Sequence, residues 1–174
     1  MTRAFKFLAA GAIGRFSRHP WPVDGAWVAA DGPLVVGKCG AHVCRVENLA
    51  HWLDDELWEI ELAGDRLEAR DCLVVSRARL VREVERWRLG GATRFAAACI
   101  ERADRIASDG GSETRALVDD ARALLHAGHP AVAAYTAAVV VARLDAVAPT
   151  AAYEAERAWQ SAWIAREIVR DDFV

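Results

Sequence analysis

The chain has 174 residues, 53% hydrophobic and 27% charged, with a formal net charge of −3. That length suits one domain, or a small domain with a helical annex, and the composition excludes intrinsic disorder. There is no basic excess to mark a nucleic-acid surface, no apolar run long enough to span a membrane, and four cysteines in a chain of this size do not imply a disulfide framework.

The uncharged run from Phe7 to Gly14 is too short and too glycine-broken for a secretory signal, so a cytoplasmic setting is expected. The basic residues are almost all arginine, with lysine only at Lys6 and Lys38. Ala4 to Ala9 predicts a first strand, which Gly11 and Gly14 break. Two prolines around Trp21 forbid regular structure over 17–22. Short strands are expected over 26–30 and 34–36, separated by an Asp31-Gly32-Pro33 turn. Ala41 to Val46 alternates, which as a strand sets His42, Cys44 and Val46 on one face.

Asn48 can cap a short helix over 49–57. Asp54, Asp55 and Glu56 would then lie near its C-terminal end, where the helix dipole disfavours acids; this suggests another purpose for them. Trp58 to Leu62 reads as a strand with Trp58, Ile60 and Leu62 turned to a core and Glu59 and Glu61 turned outward or into a cleft. A last strand is expected within 66–76.

From Arg77 the apolar period changes to 3.6. Leu80, Val84 and Trp87 predict a first helix ended by Gly90-Gly91, and further helices are expected over 93–107, from Ser112, over 131–147 and over 151–170. The fourth is apolar on nearly every side and should be central. The expected fold is α+β: a small, mostly antiparallel sheet over residues 1–76, packed against a C-terminal bundle of four to five helices over 77–174.

Reactive residue types crowd into 40–62, which carries His42, His51 and a knot of carboxylates. A histidine on one strand and an acid on the next could line one cleft, so His42 with Glu59 or Glu61 is the candidate acid–base pair. The plainer alternative makes both glutamates the wet face of a strand, paired with Arg45 or Arg66. Arg45 as an anion clamp, Trp52 as a wall, and His19 and Trp21 on a turn-rich loop complete the candidate binding set. Cys39, His42, Cys44 and Cys72 are zinc-compatible types at poor spacing, and no metal or other cofactor is expected. Glu154, Glu156, Arg157 and Gln160 form a polar face on the last helix. They either aim at a cleft between bundle and sheet or make an exposed charge ladder.

The stretches FKFL, GAIGRFS and WP, then CGAHVCRVENLAHWLDDELWEIEL, then ERAWQSAWIA, resemble a family of uncharacterised actinobacterial proteins over most of the chain. The resemblance implies a source class, with specialised metabolism as a setting, and no particular activity. The order of a strand with His42, a helix opened by Asn48-Leu49 and a strand ending in Glu61 also resembles ADP-ribosyltransferase-like folds. There a strand histidine holds a nicotinamide ribose and a later glutamate is catalytic; the helical half of this chain has no counterpart in them. The expected function is a small metal-free enzyme or binding protein for a small polar metabolite. The alternative is an interaction module that dimerises through its C-terminal helices, anchored by Trp159 and Trp163.

Overall fold

A computed structural model of the protein describes residues 4–108 and 111–170. Asp109 and Gly110 of the expected inter-helix loop lie outside the described residues. The architecture is α+β, a five-stranded antiparallel sheet followed by helices. Its strands are β1 (Ala4–Leu8), β2 (Val28–Ala29), β3 (Ala41–Val43), β4 (Glu56–Glu68) and β5 (Leu73–Glu83). β4 runs between β1 and β5, and the other edge of β5 carries β2 and β3.

Cys44, one residue past β3, exchanges two backbone hydrogen bonds of 2.8 Å with Phe5 of β1. The ring β1–β4–β5–β3 thereby closes into a small barrel. Register shifts at Glu59/Ile60 and Ala63/Arg66 supply the bends that closure needs. Period-two alternation then sorts the side chains. Leu8, Val43, Ile60, Val75 and Leu80 fill the barrel, with Trp58 and Leu62 packed against them as expected. Phe5, Phe7, Cys44 and Leu57 turn the other way, into a core shared with the helices. Trp87 joins the two layers: it is wholly buried, lies edge-on to Phe7 at 5.1 Å, and sits 5.6 Å from Phe95.

Three sequence expectations are corrected here, the first being the short strand over 34–36, where the structure has only a single bridge between Val35 and Cys39. Residues 77–83 continue β5 rather than opening a helix. They are good helix formers, but that preference is below about 0.7 kcal/mol per residue. Against it, Arg79 and Arg82 stand opposite Glu61 and Glu59 on β4, and Ala78 and Leu80 reach the barrel core. Gly90-Gly91 consequently joins β5 to the first helix instead of ending one. Gly90 has φ of 85°, and a side chain on Gly91 would collide with the Arg86 carbonyl oxygen. The helix expected over 49–57 is a shorter 3-10 helix, Val46–Trp52, because β4 already begins at Glu56.

The bundle comprises α1 (Ala92–Ile106), α2 (Ser112–His126), α3 (Pro130–Leu144) and α4 (Pro149–Ile164), with a π-turn at Ala165–Val169. α3 packs against the other three and buries Ala133, Ala134, Ala137 and Ala138, small side chains that let the helix backbones approach closely. No helix among the described residues is long and apolar enough to cross a membrane. Trp159 and Trp163 pack against the bundle core, Trp163 at 5.5 Å from Phe95, so they are held by their own chain.

The helix α4 is unusual in what it hides. Glu156, Arg157, Gln160, Ser161 and Ile164 form its buried stripe, at spacings of one helical face. The exposed-ladder reading of Glu156, Arg157 and Gln160 is therefore corrected: they are 1%, 3% and 0% exposed. Part of the reason is backbone accounting. Ser161 Oγ accepts from the Ala50 N–H at 2.9 Å, and Gln160 Nε2 donates to the Ala134 carbonyl at 3.1 Å.

Candidate functional site

The seven residues singled out in the sequence go to separate tasks. His42 closes the 37–42 turn: Nε2 accepts from the Gly37 N–H at 2.7 Å and Nδ1 lies 3.1 Å from the Gly40 carbonyl oxygen. Those bonds fit a neutral ring protonated on Nδ1. Burial holds its pKa below the ordinary value. β5 separates its strand from β4, and no hydrogen bond or ion pair joins His42 to Glu59 or Glu61 among the described residues.

Glu59 takes Arg82 through two bonds of 3.0 and 2.8 Å, and Glu61 takes Arg79 Nε at 2.7 Å. Arg45 donates to Glu68 at 2.6 Å. Trp52 Nε1 donates to the Asp71 carbonyl at 2.8 Å. The His19 side chain is exposed, and its backbone N–H donates to Ser17 Oγ. Trp21 is buried in the barrel beneath Lys6, whose ammonium lies 4.9 Å from the ring centroid and donates to the His42 carbonyl at 2.6 Å. No group of three or more His, Cys, Asp or Glu side chains among the described residues is placed to hold a metal ion.

The carboxylate knot has a different use. Asp55 accepts the Ala10 N–H, and the two oxygens of Glu56 accept those of Gly11 and Ala12 at 2.8 and 3.1 Å. They pin the loop after β1, which turns sharply there: Gly11 and Ala12 have φ of 82° and 58°. That loop delivers Arg15, whose Nη1 donates to the Leu53 carbonyl at 3.1 Å.

Arg15 is the near wall of a recess of about 250 Å³ between the barrel side and the bundle. His51 and Leu53 follow from the end of the 3-10 helix, Ala131, Val132 and Tyr135 from α3, and Arg157 from α4. The chain matches no family model, no curated protein and no solved structure. Its chemistry is read from the groups in that recess.

Arg157 sets the electrostatics. Among the described residues it is the one arginine that is buried, and no carboxylate lies within ion-pair distance of it. Its Nη1 donates to Gln160 Oε1 at 2.6 Å, while Nε is buried without a partner. Desolvation pulls its pKa down, yet a guanidinium keeps its proton in proteins, so the charge stays. Tyr153 and Tyr135 face it at 5.8 and 5.9 Å from their ring centroids, which offsets part of the desolvation.

His51 lies beside it. Burial, then the Arg157 charge, lower its pKa, so the ring is neutral at pH 7. Its Nε2 is 3.8 Å from Glu154 Oε2, too long for a hydrogen bond but close enough to stabilise a protonated ring. Glu154 is itself held by Arg70 at 2.8 Å. A histidine and an acid thus do meet beside a cleft under helices, but they are His51 and Glu154.

Sequence reasoning passed over His51 although it stands in the stretch judged richest in reactive groups. Arg15, His51 and Arg157 lie one each in the three stretches GAIGRFS, NLAHWL and ERAWQS, and the fold makes those stretches converge.

Proposed function

We propose that the protein binds a small anionic metabolite in the Arg15–His51–Arg157 recess, with His51 as the group able to exchange a proton with it. The observation that carries this reading is the buried guanidinium of Arg157, which has no carboxylate partner and lines an open recess. The Gln160 hydrogen bond and the two tyrosine rings offset only part of the desolvation of this fixed cation, and an anion would offset more. Arg15 supplies a second positive charge at the mouth. A volume of about 250 Å³ equals about eight liquid-water volumes, room for a carboxylate or phosphate and a few carbons. His51, neutral and backed by Glu154, has the form a general base needs.

Sulfate, phosphate and acetate test this directly. Each is expected to raise the melting temperature of the parent protein; an anion at about a hundred times its Kd adds about 2.7 kcal/mol. The Arg157→Met protein should lose that rise, and Arg15→Ala, at an exposed position, should weaken it about tenfold. The reading is overturned if none of the three anions stabilises the parent, or if both variants respond as the parent does.

A further inference from the structure

A second recess, of about 330 Å³, lies along the α3–α4 seam. Tyr135 lines both. Beyond it the walls change character: Val139, Ala142, Pro149 and the Tyr153 ring are apolar, and Arg143 alone is charged. The Tyr135 and Tyr153 rings meet edge to face at 6.1 Å, and Tyr135 is 52% exposed although it is a large aromatic side chain. The guanidinium of Arg157 lies against both rings. The seam therefore has the Arg157 guanidinium at one end, two aromatic rings in the middle and a mainly apolar stretch beyond them, with Arg143 as its single charge.

Size points the same way. The first recess, at about 250 Å³, falls below the roughly 300–1,000 Å³ in which proteins hold whole small-molecule ligands, and the second, at about 330 Å³, supplies the further space a tail would need.

We infer that the ligand is two-ended: a carboxylate or similar anionic head between Arg15 and Arg157, carrying an aromatic or aliphatic tail that passes Tyr135 into the second recess. This rests on the anion-binding reading above. The head supplies the charge that Arg157 lacks, and the tail covers the Tyr135 face and displaces water from Val139 and Pro149. A bare inorganic anion would use only half of the seam.

The test is a series of monocarboxylates with the head held constant: acetate, benzoate and 3-phenylpropionate, titrated by calorimetry or by amide chemical shifts. Affinity should rise about tenfold or more from acetate to 3-phenylpropionate. Thr150→Trp and Ala142→Trp each put an indole into the second recess, and Thr150 is exposed, so that variant is expected to fold. In both, the gain from the tail should vanish while acetate binds as before. Equal affinities along the series with acetate still bound would overturn the two-ended ligand and leave the anion site standing. A tail-dependent gain that survives both tryptophan variants would overturn it too, by placing the tail elsewhere. If neither acetate nor sulfate binds, the anion site itself is wrong and the tail proposal goes with it.

Discussion

The barrel buries Lys6 and the bundle buries Arg157, and the two regions treat a hidden cation differently. Lys6 sits on the inner face of β1 between Ala4 and Leu8, over the Trp21 ring, with the His42 carbonyl as its hydrogen-bond acceptor. Burial lowers its pKa to about 8, so the barrel can meet the cost by letting the proton go. Arg157 has no such exit, because a guanidinium stays charged at any pH the fold survives. A buried lysine can be a feature of packing alone, whereas a buried arginine without a carboxylate leaves a standing demand for an anion. That difference is why the recess beside Arg157, and not the barrel interior, is read as the binding site.

Trp87 ties barrel and bundle together, so the two regions are expected to unfold as one. It is wholly buried, bridges Phe7 and Phe95, and its Nε1 donates to the Asp54 carbonyl at 2.9 Å. Trp87→Ala is expected to cost about 3–5 kcal/mol. Urea unfolding followed by circular dichroism and by tryptophan fluorescence should shift as one transition. Two separated transitions would mean that the two cations belong to independent folding units.

Next in size is the lysine itself. Between pH 8 and 10.5 the native state holds fewer protons than the unfolded chain, so stability rises with pH across that window. Below about 8 the burial penalty is fully present; above 10.5 it is gone. The depression corresponds to about 3 kcal/mol. Lys6→Met should therefore gain most over the parent at pH 7 and lose that advantage by pH 10.5, as read from paired denaturation curves. The same pair of curves for Arg157→Met should keep a constant separation from pH 8 to 10, and a separation that closes as it does for Lys6 would erase the contrast.

A smaller effect sharpens the recess. His51 is neutral at pH 7 because burial and Arg157 depress its pKa. Its protonation, which burial and Arg157 defer to a pH below the ordinary histidine range, adds a third positive charge, so sulfate affinity should rise a few-fold as the pH is taken down through that range. His51→Gln should flatten that slope, whatever it does to the affinity at pH 7.5. The smallest effect belongs to the barrel's outer face. Arg79 and Glu61 are both about two-fifths exposed, and Arg79→Ala should cost no more than about 1 kcal/mol and leave anion binding untouched.

The sequence made the strand β1, the alternation of Trp58–Leu62, the positions of α1 to α4 and the central place of α3 legible, because period and composition are local properties that tertiary contacts reinforced. It also grouped Glu156, Arg157 and Gln160 on one helix face, while leaving open whether that face lies in a cleft or in solvent. Only the tertiary structure decided that 77–83 is a strand, since the glutamates that select it lie about twenty residues away on β4. Only it decided which histidine faces an acid. Strand adjacency is set by hydrogen bonding across the whole sheet, which puts β5 between His42 and the glutamates. Helix packing brings α4, more than a hundred residues distant in the chain, against Ala50 and His51. A recess is made of long-range contacts, and no window of the sequence contains one.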